Sequence, residues 1–467
     1  MPSMSLRRTL CAAVPCLAAA AAMAAGPVHA EDAGGYWRGR IANALDVFVQ
    51  FQKGPDGHWA GTLTVPQQGM VSKVDKLAVT GDQVSFAMTA LDAGFTARWN
   101  DADKAWNGTW RQQGRSVPLV LRRTDAGSLK PSRPQEEAIA ARAPGYTGSE
   151  VRFANDAANV TLAGTFTVPH GKGPFPAVVL VHGSGPLDRD QKVFEHKIFL
   201  VLADHLSRQG IAVLRYDKRG IGKSSGVYAG ATSLDFASDA EAAVRFLRGR
   251  PEVATRHIGI VGHSEGGLIA PLVASRDAGL GFLVLLAGPG VRGELLMAEQ
   301  LALAASANGA PEHVVEKERV LNQAILAAMA SEPQLEAARA RAKLVVEEAR
   351  RNGTLSADAE ARVGLFSTPW FHTFLRHEPG PALRATRQPV LVLNGELDRQ
   401  VPAAMDLDAI RTALKDNPRA VVKALPKLNH LFQTAVTGAG SEYFGIDETI
   451  APAALDIVSD WIRATAR

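Results

Sequence analysis

The run Gly262-His263-Ser264-Glu265-Gly266 is the first place in the chain where side-chain chemistry can be read. Ile258 to Val261 before it predicts a buried strand, and the apolar segment Leu268 to Ala274 after it predicts a helix. Ser264 then stands at the tip of a strand-to-helix turn, where a base can reach its hydroxyl. The flanking glycines let two backbones pass without Cβ collisions. A glycine-rich turn whose serine only caps the following helix has the same five-residue pattern, so the partners of Ser264 must decide.

A serine hydroxyl is a poor nucleophile near neutral pH and needs a base within hydrogen-bond reach and a third group that orients the base. The turn resembles the nucleophile elbow of α/β-hydrolases, and that resemblance implies an acid and then a histidine later in the chain, each just after a later strand. The apolar strand Pro389 to Asn394 is followed by Gly395-Glu396-Leu397-Asp398-Arg399, which offers Asp398 as the acid and Glu396 two residues earlier as its competitor. Asp398 is preferred, because the loop has room to turn there. The strand Ala420 to Leu425 is followed by Pro426-Lys427-Leu428-Asn429-His430, and His430 is the sole histidine after His377. Acyl transfer also needs donors for the developing oxyanion, and losing one costs about 3 to 4 kcal/mol in the barrier. The backbone N–H of Glu265 is one candidate. The other is the N–H of Ser184, in the loop His182-Gly183-Ser184-Gly185-Pro186 that follows the strand ending at Val181.

A second match, Gly222-Lys223-Ser224-Ser225-Gly226, lies several residues past its strand with no helix opening on it, and reads as a loop. A phosphate-binding loop there would put its first glycine on Asp217, a carboxylate ill suited to phosphate. Histidines 182, 196, 205 and 263 show no metal-ligand spacing with a suitable acid, so neither metal nor other cofactor is expected.

The elements that must position these residues fall into two regions of different period. From Gly35 to Arg123 short alternating runs such as Leu45 to Phe51, Trp59 to Val65, Val84 to Met88, Phe95 to Trp99 and Val117 to Leu121 predict an all-β sandwich or small barrel. Five of the seven tryptophans fall in this region, at positions 37, 59, 99, 106 and 110, and are expected to fill its core. Residues 126–149, with Pro131, Pro134 and Pro144, have the composition of a linker. Val151 to Val168 reads as a pair of strands. From Phe175 continuous apolar strands alternate with amphipathic helices at Phe194 to Arg208 and Ser233 to Arg248, the pattern of a parallel sheet buried on both faces. The alternation lapses at about 291–380, where Ala, Glu, Leu and Arg recur at helical spacing without a strand signal. This predicts an all-helical insertion over the sheet, a lid, and Trp370, Phe371 and Phe374 near its end are candidates for lining a pocket. The last helix is expected from Ala451 to Ala464.

Residues 1–30 stand apart. Arg7 and Arg8 precede an apolar run from Leu10 to Ala25, and Val28-His29-Ala30 supplies small residues for cleavage, so the segment reads as a signal peptide cut after Ala30 and the product as exported, periplasmic or secreted. The apolar run is short and broken by Pro15, which argues against a stable membrane anchor. Both cysteines, Cys11 and Cys16, lie within it, leaving the exported chain without disulfides, thiolate metal sites or a cysteine nucleophile. Loss of the two arginines lowers the formal charge of +4 to +2, too small an excess for a nucleic-acid footprint. A 467-residue chain with 46% apolar and 21% charged residues can bury a large core and exceeds one ordinary domain. The expected division is 1–30, an all-β domain at 31–125, the linker at 126–149 and a catalytic domain at 150–467.

From about Glu150 onward the chain resembles the α/β-hydrolase superfamily, in particular bacterial carboxylesterases related to the serine aminopeptidase and prolyl-oligopeptidase-like branch. The resemblance is carried by His182 to Pro186 with Asp188-Arg189-Asp190 behind it, by Arg215-Tyr216-Asp217-Lys218-Arg219-Gly220, by the turn at Ser264, and by the loops bearing Asp398 and His430. It implies an α/β-hydrolase fold, esterase activity on short acyl chains, no cofactor and a helical lid over the acyl pocket. His-Gly-Ser-Gly stands where lipase-like members carry a glycine triplet, a departure that speaks against lipase activity and tertiary-alcohol esters. The expected activity is a short-chain carboxylesterase with a small-molecule ester or amide substrate. A small-peptide peptidase with the same triad, and a non-catalytic envelope binding protein on a hydrolase fold, are the competing readings.

Overall fold

The computed structural model describes residues 33–466 apart from 42–44, 67–69, 113, 130, 308 and 357–358. The segment read as a signal peptide, with both cysteines, lies outside the described residues. No helix among the described residues is long and apolar enough to cross a membrane.

The alternating runs of the N-terminal region form nine strands: β1 Gly35–Ile41, β2 Leu45–Lys53, β3 Trp59–Val65, β4 Met70–Lys73, β5 Asp75–Thr80, β6 Gln83–Met88, β7 Ala93–Asn100, β8 Ala105–Gln112 and β9 Arg115–Thr124. They pair antiparallel in one sheet of order β4-β3-β2-β1-β9-β8-β7-β6-β5. Its two edge strands are consecutive in the chain. β5 turns back against β3, where a Cβ on Gly61 would lie 3.1 Å from the Leu77 side chain, so the sheet curls around one core as a barrel rather than stacking as a sandwich. Alternate residues point inward, and Trp37, Phe51, Leu63, Phe95, Trp106 and Leu121 fill the interior. Trp37 makes edge contacts with Trp99 and Trp106 at ring separations of 5.9 and 6.0 Å, the preferred aromatic geometry.

The stretch 126–149 is not extended linker throughout. It contains α1 Pro134–Ala141 and the start of β10 Tyr146–Asn155. Arg133, just ahead of α1, is buried, and its guanidinium donates to the carbonyls of Phe194, Phe444 and Ile446. These partners, remote in sequence, give the short helix its anchor.

The remaining chain folds as β11 Val160–Pro169, β12 Phe175–Val181, the two-residue strands β13 Lys192–Val193 and β14 His196–Lys197, α2 Ile198–Arg208, β15 Ala212–Tyr216, α3 Ser233–Arg248, β16 Val253–His263, α4 Glu265–Arg276 and β17 Phe282–Leu286. Six helices follow: α5 Gly293–Ala307, α6 Glu312–Ser331, α7 Leu335–Arg351, α8 Ala359–Phe366, α9 Pro369–Arg376 and α10 Pro379–Ala385. The sheet resumes with β18 Val390–Gly395, α11 Ala403–Ala413 and β19 Ala420–Leu425, and the chain closes with α12 Gly440–Tyr443 and α13 Pro452–Thr465.

The second sheet runs β10-β11-β15-β12-β16-β17-β18-β19, parallel from β15 to β19 and antiparallel at β10 and β11. This is the α/β-hydrolase architecture. Side chains alternate faces along each strand: Ala177, Val179 and Val181 pack under α3 and α4, whereas Val178 and Leu180 pack under α2 and α13. A strand buried on both faces must be apolar throughout, which is why β12, β16, β17 and β18 were legible as continuous runs. Helices α5 to α9 carry a core of their own around Ile325, Met329, Ala342 and Phe366, so the region between β17 and β18 is helical.

Chain order reverses across the sheet beside β12, because β15 lies on one side of it and β16 on the other. In open α/β sheets the crevice at the carboxyl ends of such strands is the place for a ligand. Ser184 follows β12 and Ser264 follows β16, so both occupy that crevice.

Candidate active site

The tight passage from β16 to α4 dictates the local sequence. A Cβ on Gly262 would lie 2.0 Å from the Gly266 carbonyl oxygen, and one on Gly266 would lie 2.0 Å from that of Val181. Ser264 takes φ 55° and ψ −118°, a conformation that costs a non-glycine residue about 1 to 3 kcal/mol and persists only where its surroundings enforce it. They do so here. Ser264 N–H donates to the Leu286 carbonyl and Gly267 N–H to the Ser264 carbonyl, both at 2.8 Å.

The Ser264 hydroxyl faces His430 Nε2 at 3.1 Å, and His430 Nδ1 faces Asp398 Oδ2 at 2.8 Å. Asp398 and His430 are both buried. Asp398 Oδ1 accepts the N–H groups of Gln400 and Val401, each at 2.8 Å, leaving Oδ2 for the imidazole. A carboxylate at Nδ1 keeps the proton there and leaves the Nε2 lone pair for the serine O–H. Glu396, the competing acid, is exposed and its side chain is outside this chain of contacts.

Both expected oxyanion residues line the cavity beside Ser264. Glu265 is the first residue of α4, so its N–H precedes the intrahelical ladder and is free to meet an anion. The Ser184 side chain is exposed, while Gly183 before it is buried and gripped at both ends. Gly183 N–H donates to Gln191 Oε1 at 2.9 Å, and the Gly183 carbonyl accepts from Lys218 Nζ at 2.7 Å. A Cβ on Gly183 would approach the Ser264 Cβ to 3.2 Å, so the absence of a side chain there lets this loop close on the serine.

Three further residues act in this site in roles that the motifs do not tell. Gln191 Nε2 donates to His263 Nδ1 at 2.8 Å, and His263 Nε2 donates to the His430 carbonyl at 2.9 Å. Burial, and next the neighbouring His430, push the His263 imidazole down to about 3; it is a neutral strut joining the Gly183 loop to the His430 loop. The third is Lys218, buried like its partner Glu265. Its ammonium lies 3.3 Å from Glu265 Oε2 and 4.2 Å from the centre of the Phe236 ring. Burial lowers its proton affinity, and the Glu265 carboxylate opposes that change. Glu265 Oε1 in turn accepts from Ser233 Oγ at 2.6 Å and from Trp370 Nε1 at 2.7 Å.

The rival motif is structural. Ser224 Oγ donates to the Asp217 carbonyl and accepts Ala163 N–H, while Arg189 and Lys223 N–H hold the Asp217 carboxylate. Arg219 forms a fork on Asp239 at 2.8 and 2.9 Å.

The cavity over Ser264 has a volume of about 350 Å³. Leu187, Val193, Phe194, Pro289, Val401 and Leu431 give it apolar lining, and Leu296, Met297, Gln300, Trp370, Phe371 and Phe374 line it from α5 and α9. The aromatic cluster at the end of the insertion therefore does line the pocket.

Residues 174–432 match the family model described as Serine aminopeptidase, S33. The chain belongs to this family. Among its relatives, Esterase EstD of Thermotoga maritima is 39% identical over 158 residues, which are 34% of this chain and 38% of that protein. The chain thus matches under two fifths of that relative's length. Among solved structures, the Pyrococcus furiosus esterase Pf2001 is 17% identical over 69% of this chain and 94% of its own, with a TM-score of 0.42. Est1E from Butyrivibrio proteoclasticus is 16% identical over 68% of this chain and 97% of its own, with a TM-score of 0.39.

Proposed function

We propose that the protein is a serine hydrolase that cleaves short-chain carboxylic esters through an acyl-enzyme. The observation that carries the reading is the continuous contact from Ser264 Oγ through His430 to Asp398 at the mouth of an apolar cavity. Ser264 Oγ attacks the acyl carbon while His430 Nε2 takes its proton. The N–H groups of Glu265 and Ser184 hold the oxyanion of the tetrahedral intermediate. Collapse breaks the bond to the alcohol, which leaves with the proton from His430. Water then adds to the acyl-enzyme by the reverse relay and releases the acid and the free serine.

The cavity wall supports an ester over a peptide. An aminopeptidase needs an anion for the free ammonium of its substrate. The carboxylate in this wall, Glu265, is already engaged by Lys218, Ser233 and Trp370. A volume of about 350 Å³ stands near the lower end of small-molecule sites, about 300 to 1,000 Å³, and suits a short acyl chain. The name of the Thermotoga relative agrees. On this reading α5 to α9 form a lid whose inner face, Leu296, Met297, Trp370 and Phe374, sets the acyl-chain length.

The test compares p-nitrophenyl butyrate with aminoacyl p-nitroanilides. Ester turnover exceeding anilide turnover by at least 100-fold in kcat/KM is expected. The reverse preference would make the protein a peptidase, and no turnover of either class would return it to the binding-protein reading.

A further inference from the structure

Resting on the serine-hydrolase reading, we infer that Lys218 is a positioning residue that builds the oxyanion hole, by holding the Gly183–Ser184 peptide with its ammonium while pairing with the side chain of the second donor residue, Glu265. The Gly183 carbonyl and the Ser184 N–H belong to one planar peptide unit and point in opposite directions. A donor fixed on that carbonyl from behind turns the N–H toward the crevice in which Ser264 stands. Lys218 Nζ supplies the donor at 2.7 Å. Gln191 holds the preceding peptide by the Gly183 N–H, so neither unit flanking Gly183 can rotate freely.

The pairing with Glu265 has a second consequence. A buried carboxylate close to the oxyanion would oppose the charge that develops there. Lys218 compensates it, and Ser233 and Trp370 occupy its remaining lone pairs. Other charged or titratable groups around the pair are Asp239, held by Arg219, the phenols of Tyr216 and Tyr228, both pushed up by burial, and the His182 imidazole, pushed down to about 3 by burial and next by Lys218 itself. Arg219 thus answers Asp239, and Lys218 is the cation that touches Glu265. An ion pair this deep contributes little net stability, which is consistent with its retention for the site rather than for the fold.

Steady-state kinetics of Lys218→Met on p-nitrophenyl butyrate test the inference. Loss of one oxyanion donor lowers kcat by about 100- to 1,000-fold, so kcat should fall in that range while KM changes by less than about threefold. The double variant Lys218→Met/Glu265→Gln, which also removes the uncompensated carboxylate, should keep the low kcat, because nothing then holds the Gly183 carbonyl. Wild-type kcat in the single variant, or full recovery in the double, would overturn the inference. If Lys218→Met does not fold, Lys218→Arg retains the cation but not a single donor of the same reach. At least a tenfold loss of kcat is then expected, and unchanged kcat overturns the proposal. A wild type that turns over no ester would remove the serine-hydrolase reading itself, and the inference with it.

Discussion

In the proposed mechanism Ser264 attacks only while a neutral imidazole nitrogen stands ready for its proton, and the contacts on Asp398 are what would hold His430 in that tautomer. The choice of Asp398 over Glu396 has a local cause. Asp398 N–H closes a turn on the Gly395 carbonyl, folding its short side chain inward, whereas Glu396 N–H bonds back to the Leu425 carbonyl at the strand end and its side chain faces solvent. Asp398→Asn should lower kcat by about 10⁴-fold, since the wrong tautomer then faces the serine; Glu396→Gln should stay within about twofold of wild type, and rates on p-nitrophenyl butyrate for the pair check both. Ser264, His430 and the acid loop were legible because each follows an unmistakable strand. Lys218, Gln191 and His263 were not, because each acts by gripping a carbonyl, an N–H or an imidazole far away in sequence, and no local pattern records that.

At the scale of the elements, the β16–α4 turn admits no side chain at its glycines. Gly262→Ala or Gly266→Ala should abolish soluble, active protein, because the new Cβ meets backbone that cannot move aside. Gly364 in α8 offers the contrast, as a Cβ there meets nothing within 4 Å. Gly364→Ala should raise stability by about 0.5 to 1 kcal/mol in urea unfolding. The insertion touches the machinery through Trp370 on α9, and Trp370→Phe, which removes a hydrogen bond to a charged group, should cost about 1.5 to 3 kcal/mol of stability in the same measurement. Sheet strands buried on both faces were visible in the sequence. Four barrel strands were missed: β1 is broken by Gly35 and Gly39, β8 by Gly108, and β4 and β5 are short edge strands, half-buried or exposed along their length. The helix α1 was hidden by its prolines, because what fixes it is the anchoring of Arg133 and not its own amphipathicity.

For the whole molecule, buried histidines set the response to acid. His182 and His263 are pushed down to about 3 and His196 to about 4, in each case first by burial. The unfolded chain binds protons at these positions below about 6.5 while the native one does not, so their contribution to stability is present above that pH and is lost as pH falls. Asp406 acts in the opposite sense. It accepts Gly290 and Val291 N–H, and burial pushes its carboxyl up to about 7; its contribution is present below about 4 and is lost as pH rises through 7. His205 and His377 are lowered in the same sense, first by burial, so the histidines outweigh Asp406. Stability in urea should therefore fall from pH 6.5 to 4.5 with a slope on the order of 2.7 kcal/mol per pH unit, the equivalent of about two net protons. Asp406→Asn should steepen that slope and stabilise the protein above pH 7. The barrel core and the two cores of the hydrolase sheet share no residues. Tryptophan fluorescence, which reports mainly on the barrel, should accordingly lose its native signal at a different urea concentration from esterase activity.

The most direct test of the account is the intact mass of the protein after treatment with a fluorophosphonate, followed by peptide mapping. One adduct, located on Ser264 and absent from Ser264→Ala together with ester turnover, is the predicted result. Equal labelling and turnover of wild type and Ser264→Ala would contradict it.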